Sequence, residues 1–416
     1  MQASRFQPSP RCSLLHRYEE IRGTTLKLTE PFSAEDQMLQ SMPDASPAKW
    51  HLAHTTWFFE TFILAPHAGN YRPFDVRYKH LFNSYYKQLG SHPYRGSRGL
   101  MARPALEEVH AYRSWVDREM ERYMEQDING AARLVELGLN HEQQHQELIL
   151  TDMKHALWSM PLRPEGRSRL RAVHDSGPLA WVKIEGGIYQ VGYNGAGFAF
   201  DNEGPRHEVL LPPFQIASRQ TTNREYLEFI EDEGYRRPEL WLSDGWDSVC
   251  THGWNAPLYW EKRDTKWCEF RFSGAEEIDL AAPVCHVSYY EADAFARWSG
   301  CRLPREEEWE IAAKSANSAE SGGFLEDAEY HPRPGQTRGA QWFGNVWEWT
   351  ASPYTPYPGF APEEGVIGEY NGKFMCNQFV LRGGSCATPV SHIRPTYRNF
   401  FPPQARWQFM GIRLAK

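Results

Sequence analysis

His141 and His145 lie four residues apart in the run His141-Glu142-Gln143-Gln144-His145-Gln146-Glu147. On a helix this spacing puts both imidazoles on one face, one turn apart, where both can reach a single metal ion. Neutral imidazole is a good ligand for divalent transition metals. The run also spells H-E-x-x-H, the zinc-protease signature, in which Glu142 would act as general base. The extended signature fails, because Leu148 and Thr151 stand where a glycine and a third histidine are required. A later carboxylate ligand is hard to find, since Glu165 falls in a connector. A third ligand must therefore come from another element. Trp50-His51-Leu52-Ala53-His54 offers two histidines, and helical phase leaves the choice between His51 and His54 open. Three neutral imidazoles leave positions for water, substrate or O2. Such a site suits Fe(II) oxygen chemistry or Zn(II) hydration.

The elements that must position these residues are helical. Ser33-Ala34-Glu35-Asp36 is a capping-box pattern that opens one helix. Ser46-Pro47 opens a second, which carries His54 and stops near Pro66. A third runs from about Ala105 to Asp127, Asn129-Gly130 breaks it, and a fourth continues to about Trp158. Four amphipathic helices with one long connection predict a four-helix bundle over 1–160, whose core is a usual place for metal sites. An Arg-rich linker follows over 161–178. From 179 to 416 glycine, tryptophan and short strand-like runs predict an irregular α+β domain. Its helices are expected over Asn223–Glu233, over Ser288–Ser299 and, shorter, from Pro304.

Composition narrows the function further. The 416 residues carry a net charge of −8, with 16 Trp and 14% aromatics. No basic block appears, which argues against a nucleic-acid partner. No run approaches the length of a membrane span, and Met1 to Leu15 lacks the apolar core of a signal peptide. The seven cysteines are scattered with no C-x-x-C, as expected of reduced thiols in a cytoplasmic protein.

His54 together with His141-x-x-x-His145-x-Glu147 resembles the DinB-like iron-binding bundle of the ergothioneine-biosynthetic sulfoxide synthases. The second half resembles the formylglycine-generating-enzyme (sulfatase-modifying factor, C-type-lectin-like) fold that follows it in that family. The matching pieces are Gly186-Gly187, Arg302 to Glu310, Gly344-Asn345-Val346-Trp347-Glu348-Trp349, Arg382-Gly383-Gly384-Ser385 and Gly411-Ile412-Arg413-Leu414. The resemblance implies a mononuclear Fe(II) enzyme with O2 as co-substrate. Such an enzyme joins a thiol sulfur to imidazole C2 of Nα-trimethylhistidine (hercynine) as a sulfoxide. It implies His54, His141 and His145 as ligands, because the family ligand is the histidine of Leu-Ala-His. It puts Gln144 on the hercynine imidazole and Asn399 on the hercynine carboxylate or backbone. Formylglycine chemistry is not implied: Thr388 and Ile393 occupy the places of that enzyme's two cysteines.

Members that take γ-glutamylcysteine have Trp-Asp after the Asn and an Arg a turn later. Here these positions are Phe400, Phe401 and Ala405. The expected sulfur donor is therefore free cysteine, with γ-glutamylcysteine as the alternative. The two rings can also attract a quaternary ammonium. The cysteine carboxylate needs a cation, and His92-Pro93-Tyr94-Arg95-Gly96-Ser97-Arg98 resembles the family's H-x-R-P-x-R loop, offering Arg95 and Arg98. A proton donor is also required. The family often uses a Tyr after the Trp-Glu-Trp motif, which Tyr354 and Tyr357 do not clearly match, so Tyr85 and Tyr86 are the expected donors. Two rival readings are a DinB-type zinc-dependent thiol transferase and a lectin-like binding module, the latter disfavoured by the histidines.

Overall fold

Four long helices build the first unit. In the computed structural model they are α1 (Leu14–Thr29), α2 (Ala48–Phe59), α5 (Leu106–Met124) and α6 (Ala132–Ser159), with single turns α3 (Ala65–His67) and α4 (Tyr78–Leu81) between them. The structure describes residues 14–125, 130–164, 176–316, 320–335, 341–364 and 366–416. Cys12, Asn129, Glu165 and most of the expected linker lie outside the described residues.

Sequence accounts for most of these helices. α5 buries Val109, Tyr112, Arg113, Val116, Met120 and Met124, a stripe at three-to-four spacing. α6 runs 28 residues to Ser159; Met160 turns extended (ψ 143°), as a residue before Pro161 should. α2 continues through a π-turn at Glu60–Leu64 into α3 and ends at His67, beside Pro66 as expected. One expectation fails. The Ser33–Asp36 box forms, with Asp36 N–H donating to Ser33 Oγ at 3.1 Å, but it opens a single 3-10 turn, Asp36–Met38. The Gln37 amide donates back to the Thr29 and Phe32 carbonyls, and Leu39 turns extended. The bundle's first helix is instead α1, whose inward face mixes Tyr18, Ile21 and Leu28 with Arg22, Thr25 and Thr29. Half of that face is polar, so its apolar periodicity is weak.

The second unit holds Leu162–Pro362 and Asn371–Lys416; Glu363–Tyr370 groups with the helices instead. Its helices are α7 (Asn223–Glu231), α8 (Ser243–His252), α9 (Tyr289–Trp298) and α10 (Glu306–Ser315). Capping boxes start α7 at Thr222/Glu225 and α9 at Ser288/Glu291. α8 was not expected, since Ser-Asp-Gly-Trp-Asp-Ser is a weak helix former and it buries little beyond Gly245 and Val249.

Its strands are short: β1 (Trp181–Ile184), β2 (Gly187–Val191), β3 (His207–Leu211), β4 (Phe214–Ala217), β5 (Trp260–Arg263), β6 (Lys266–Arg271), β7 (Gly274–Glu277), β8 (Glu320–Ser321), β9 (Gln341–Phe343), β10 (Trp347–Pro353), β11 (Phe379–Arg382), β12 (Asn399–Phe401) and β13 (Met410–Gly411). The largest sheet has the order β12-β11-β10-β13. With so little sheet, buried ion pairs do much of the joining. Glu348 accepts from Trp309 Nε1 at 2.5 Å, Gln220 at 2.8 Å and Arg413 Nη2 at 2.7 Å. Glu306 accepts from Arg382 at 2.8 Å and from both forks of Arg398. The motifs that stand far apart in the second half thus meet as partners. Gly383 explains the Gly-Gly pair: it sits at φ 100°, and a Cβ there would be 2.9 Å from the Trp342 carbonyl. Among the described residues no helix is long and apolar enough to cross a membrane.

Candidate metal centre

α2 packs against α5 and α6, and this brings His54 onto the face of α6 that carries His141 and His145. Ligand-capable atoms of the three rings all lie within 4.8 Å of one another, and all three residues are buried. Ring centroids are 5.0 Å (His54–His141), 4.8 Å (His54–His145) and 4.5 Å (His141–His145) apart. His51 is outside this group. It sits behind His145, with the two Nδ1 atoms 2.7 Å apart.

The rings are held from outside. His54 stacks between Trp50 (4.5 Å, 13°) and Trp57 (5.3 Å, 17°), its neighbours one turn back and one turn on. Its Nδ1–H donates to the Phe82 carbonyl at 2.7 Å, which leaves Nε2 as its lone-pair nitrogen. His141 packs on Phe58 at 4.8 Å, and its buried Nδ1 has no hydrogen-bond partner among the described residues.

Burial sets the charge state. Desolvation pushes His141 down to about 3. Desolvation, then the nearby His141, pushes His54 and His145 well below the usual histidine range. All three are neutral at pH 7, each with a lone pair, and no carboxylate is among them. That donor set fits a divalent first-row ion with coordination positions left over.

Glu142, beside His141, cannot be a protease base. Its carboxylate accepts from Arg113 at 2.6 Å, Arg22 at 2.9 Å and Thr25 at 2.7 Å. It is fully buried, and these partners outweigh its burial and hold it down to about 2. A carboxylate so satisfied is a structural ion-pair centre.

Tyr370 completes the surroundings. Its hydroxyl donates to Gln144 Oε1, and its ring meets His141 edge-on at 5.8 Å. The short turn before it is held by Glu369, which accepts from the Lys87 and Gln88 backbone amides at 3.1 Å each. An ion pair of Arg133 with Glu363 adds a weak tie.

Over 97% of its length the chain is 33% identical to hercynine oxygenase from Mycolicibacterium thermoresistibile, of which it covers 95%. The chain belongs to the hercynine oxygenase family. It is thus an enzyme, an oxygenase. The hercynine oxygenase of Mycolicibacterium smegmatis is 35% identical over 67% of the chain and 70% of that protein. Ergothioneine biosynthesis protein 1 of Schizosaccharomyces pombe is 28% identical over 53% of the chain and 28% of that protein. Residues 173–416 match the Sulfatase-modifying factor enzyme 1-like domain, which accounts for the strand-poor second unit.

Within this hercynine oxygenase family member the remaining expected residues fall in different places. Arg98 is buried, stacks 3.4 Å over Trp50 and donates to Ser46 Oγ at 2.8 Å. Burial and the neighbouring Arg95 pull it down to about 9, still charged at neutral pH. Arg95 is exposed and donates to the Asp44 carbonyl. Tyr86 is buried against Phe62 (5.1 Å) and Trp57 (5.7 Å), and Tyr85 stacks on it at 4.6 Å. Burial pushes the Tyr86 phenol well above its usual range. Asn399, Phe400 and Phe401 belong to the second unit, on β12. There Asn399 Oδ1 accepts from the Phe400 amide at 2.9 Å, Phe400 stacks on Tyr354 at 4.0 Å, and Phe401 meets Trp407 at 5.8 Å.

Proposed function

We propose that this oxygenase is a mononuclear Fe(II), O2-dependent sulfoxide synthase. It joins the sulfur of cysteine to imidazole C2 of hercynine, in ergothioneine biosynthesis. One observation carries this reading: a buried, carboxylate-free cluster of His54, His141 and His145 in a chain that aligns over 97% of its length with a hercynine oxygenase. Bound iron would supply O2 activation and oxidation of the thiol sulfur.

The protein's own residues do the rest. Gln144, one residue before His145, pairs its amide with a ring N–H of hercynine. Asn399 is carried as a further hercynine contact by the family pattern. Arg98 is a buried cation that donates to Ser46 Oγ and feels the Asp152 carboxylate, and it takes the cysteine carboxylate, with Arg95 assisting from the same loop. Phe400, Phe401 and Ala405 offer no group for a glutamyl ammonium or carboxylate, which favours cysteine over γ-glutamylcysteine.

Proton delivery is assigned to Tyr370, whose hydroxyl already lies on Gln144. The Tyr85–Tyr86 pair is the alternative, one ring further out beyond Trp57. Tyr370→Phe is expected to lower sulfoxide formation by about 100-fold or more with Fe(II) affinity unchanged. Tyr85→Phe/Tyr86→Phe should cost less than that. The reverse ranking, read from product mass and turnover, would move the role to the pair.

The Fe(II)-loaded protein, given hercynine and O2 with cysteine or with γ-glutamylcysteine, tests the whole reading. Hercynylcysteine sulfoxide and O2 uptake with cysteine alone are expected. Product only with γ-glutamylcysteine would overturn the thiol assignment. No O2 uptake with either thiol would overturn the oxygenase chemistry and favour a zinc-dependent thiol transferase.

A further inference from the structure

His51 is a buried histidine that belongs to no ligand set, three residues before His54 on α2. Both of its ring nitrogens are engaged. Nδ1 lies 2.7 Å from His145 Nδ1, and Nε2 lies 3.2 Å from Asp152 Oδ2. Asp152 follows His145 by seven residues, two turns of α6, so both point from one face of that helix toward α2. His51 reaches into the gap between them. Asp152 is buried, and the same Oδ2 accepts the Ser46 backbone N–H at 2.7 Å, just ahead of α2.

The direction of the hydrogen bonds follows from what each atom can do. The Asp152 carboxylate only accepts, so the proton of the Asp152–His51 bond sits on His51 Nε2. A neutral His51 then has its lone pair on Nδ1. The close contact with His145 is satisfied only if His145 carries its proton on Nδ1 and donates. That leaves Nε2 as the one lone-pair nitrogen of His145. The opposite arrangement needs a doubly protonated His51 with no solvent around it and Arg98 nearby, and it would leave His145 with Nε2–H and no lone pair for a metal.

We propose that Asp152 and His51 form a positioning relay that fixes the tautomer and ring orientation of His145 and strengthens it as a metal donor. This inference rests on the three-histidine metal site proposed above. The relay is longer by one imidazole than the usual carboxylate–histidine pair behind a metal ligand. It also makes the three ligands unequal. His54 is backed by a neutral carbonyl, His145 by an imidazole polarised by a carboxylate, and His141 Nδ1 by no partner among the described residues. His145 is then the strongest donor of the three. Asp152 has a second effect: because one oxygen holds both the start of α2 and His51, it sets the separation of α2 from α6 where the ligands face each other.

The test compares metal binding by the full-length parent and four variants, using chelator competition for Fe(II) and the d–d absorption of the Co(II) form. His51→Leu should weaken Fe(II) binding about 10–100-fold and change the Co(II) spectrum. His51→Asn sets an amide oxygen near the place of Nδ1 and should recover most of that loss. Asp152→Asn, nearly isosteric, should weaken binding about 10-fold, and Asp152→Leu more. Parental affinity in His51→Leu would overturn the relay. So would equal losses in His51→Leu and His51→Asn with Asp152→Asn unaffected, since His51 would then merely fill space. If His51→Leu does not fold, Asp152→Asn decides, and parental affinity and spectrum there overturn the relay. A parent that binds neither metal would instead defeat the metal site itself.

Discussion

His141→Ala is expected to abolish Fe(II) binding and sulfoxide formation together. Each neutral ring supplies one lone pair to the cluster, and among the described residues no carboxylate or fourth ligating histidine stands ready to replace one. His51 is not a substitute, because both of its nitrogens face other groups. Loss of one of three ligands should cut affinity by at least three orders of magnitude, to about the level of adventitious binding. Two readouts separate this from misfolding. Metal content after desalting should fall from near one equivalent to background. The thermal midpoint of the metal-free variant should stay close to that of the metal-free parent, while the rise on adding metal disappears. In the parent that rise reflects about 2.7 kcal/mol when metal is at 100 times its Kd. A variant that retains an equivalent of iron would show that the three rings are not the ligand set.

Glu142→Gln is expected to cost stability rather than metal. The residue spells the second letter of H-E-x-x-H, yet it is the meeting point of Arg22, Arg113 and Thr25 in the bundle core. Removing its charge leaves the buried Arg113 without its carboxylate and Arg22 with Asp117 alone, which costs about 3–5 kcal/mol. The pH dependence has a definite sign. Its folded value, about 2, lies below the ordinary 4.5, so its contribution is fully present above pH 4.5 and is lost as pH falls toward 2. Denaturation midpoints of the parent should therefore fall steeply between pH 4.5 and 2, and Glu142→Gln should flatten that limb while lowering the plateau at pH 7. A variant as stable as the parent but inactive would return Glu142 to a catalytic role.

The contrast between these two neighbours shows what a sequence can disclose. The metal cluster was legible because helical spacing alone puts His141 and His145 on one face, and the family pattern separated His54 from His51. Asp152 could have been found by the same spacing, at two turns from His145, but a lone aspartate in a polar helix carries no mark of its partner. α1 was hidden because half of its inward face is Arg22, Thr25 and Thr29, and the first two find their partner in Glu142 on another helix. Tyr370 was hidden for a related reason. It lies 226 residues after Gln144, in a glycine-containing stretch with no periodicity, and nothing local tells that its hydroxyl meets that side chain. The tyrosines nearer the Trp-Glu-Trp motif have other duties in the second unit: Tyr354 accepts from Asn202, and Tyr357 from Arg382.

The eight residues Glu363–Tyr370 make the helical unit a discontinuous domain, interrupted by some two hundred residues of the other. A gene-fusion event that simply joined two autonomous modules would leave each encoded in one block. Here the second module lends a loop back to the first. The insertion point matters for anyone who shuffles these modules: a swap cut at the inter-domain connector would carry the phenol away with the wrong partner, and a graft of a foreign C-terminal half would have to import its own version of that loop.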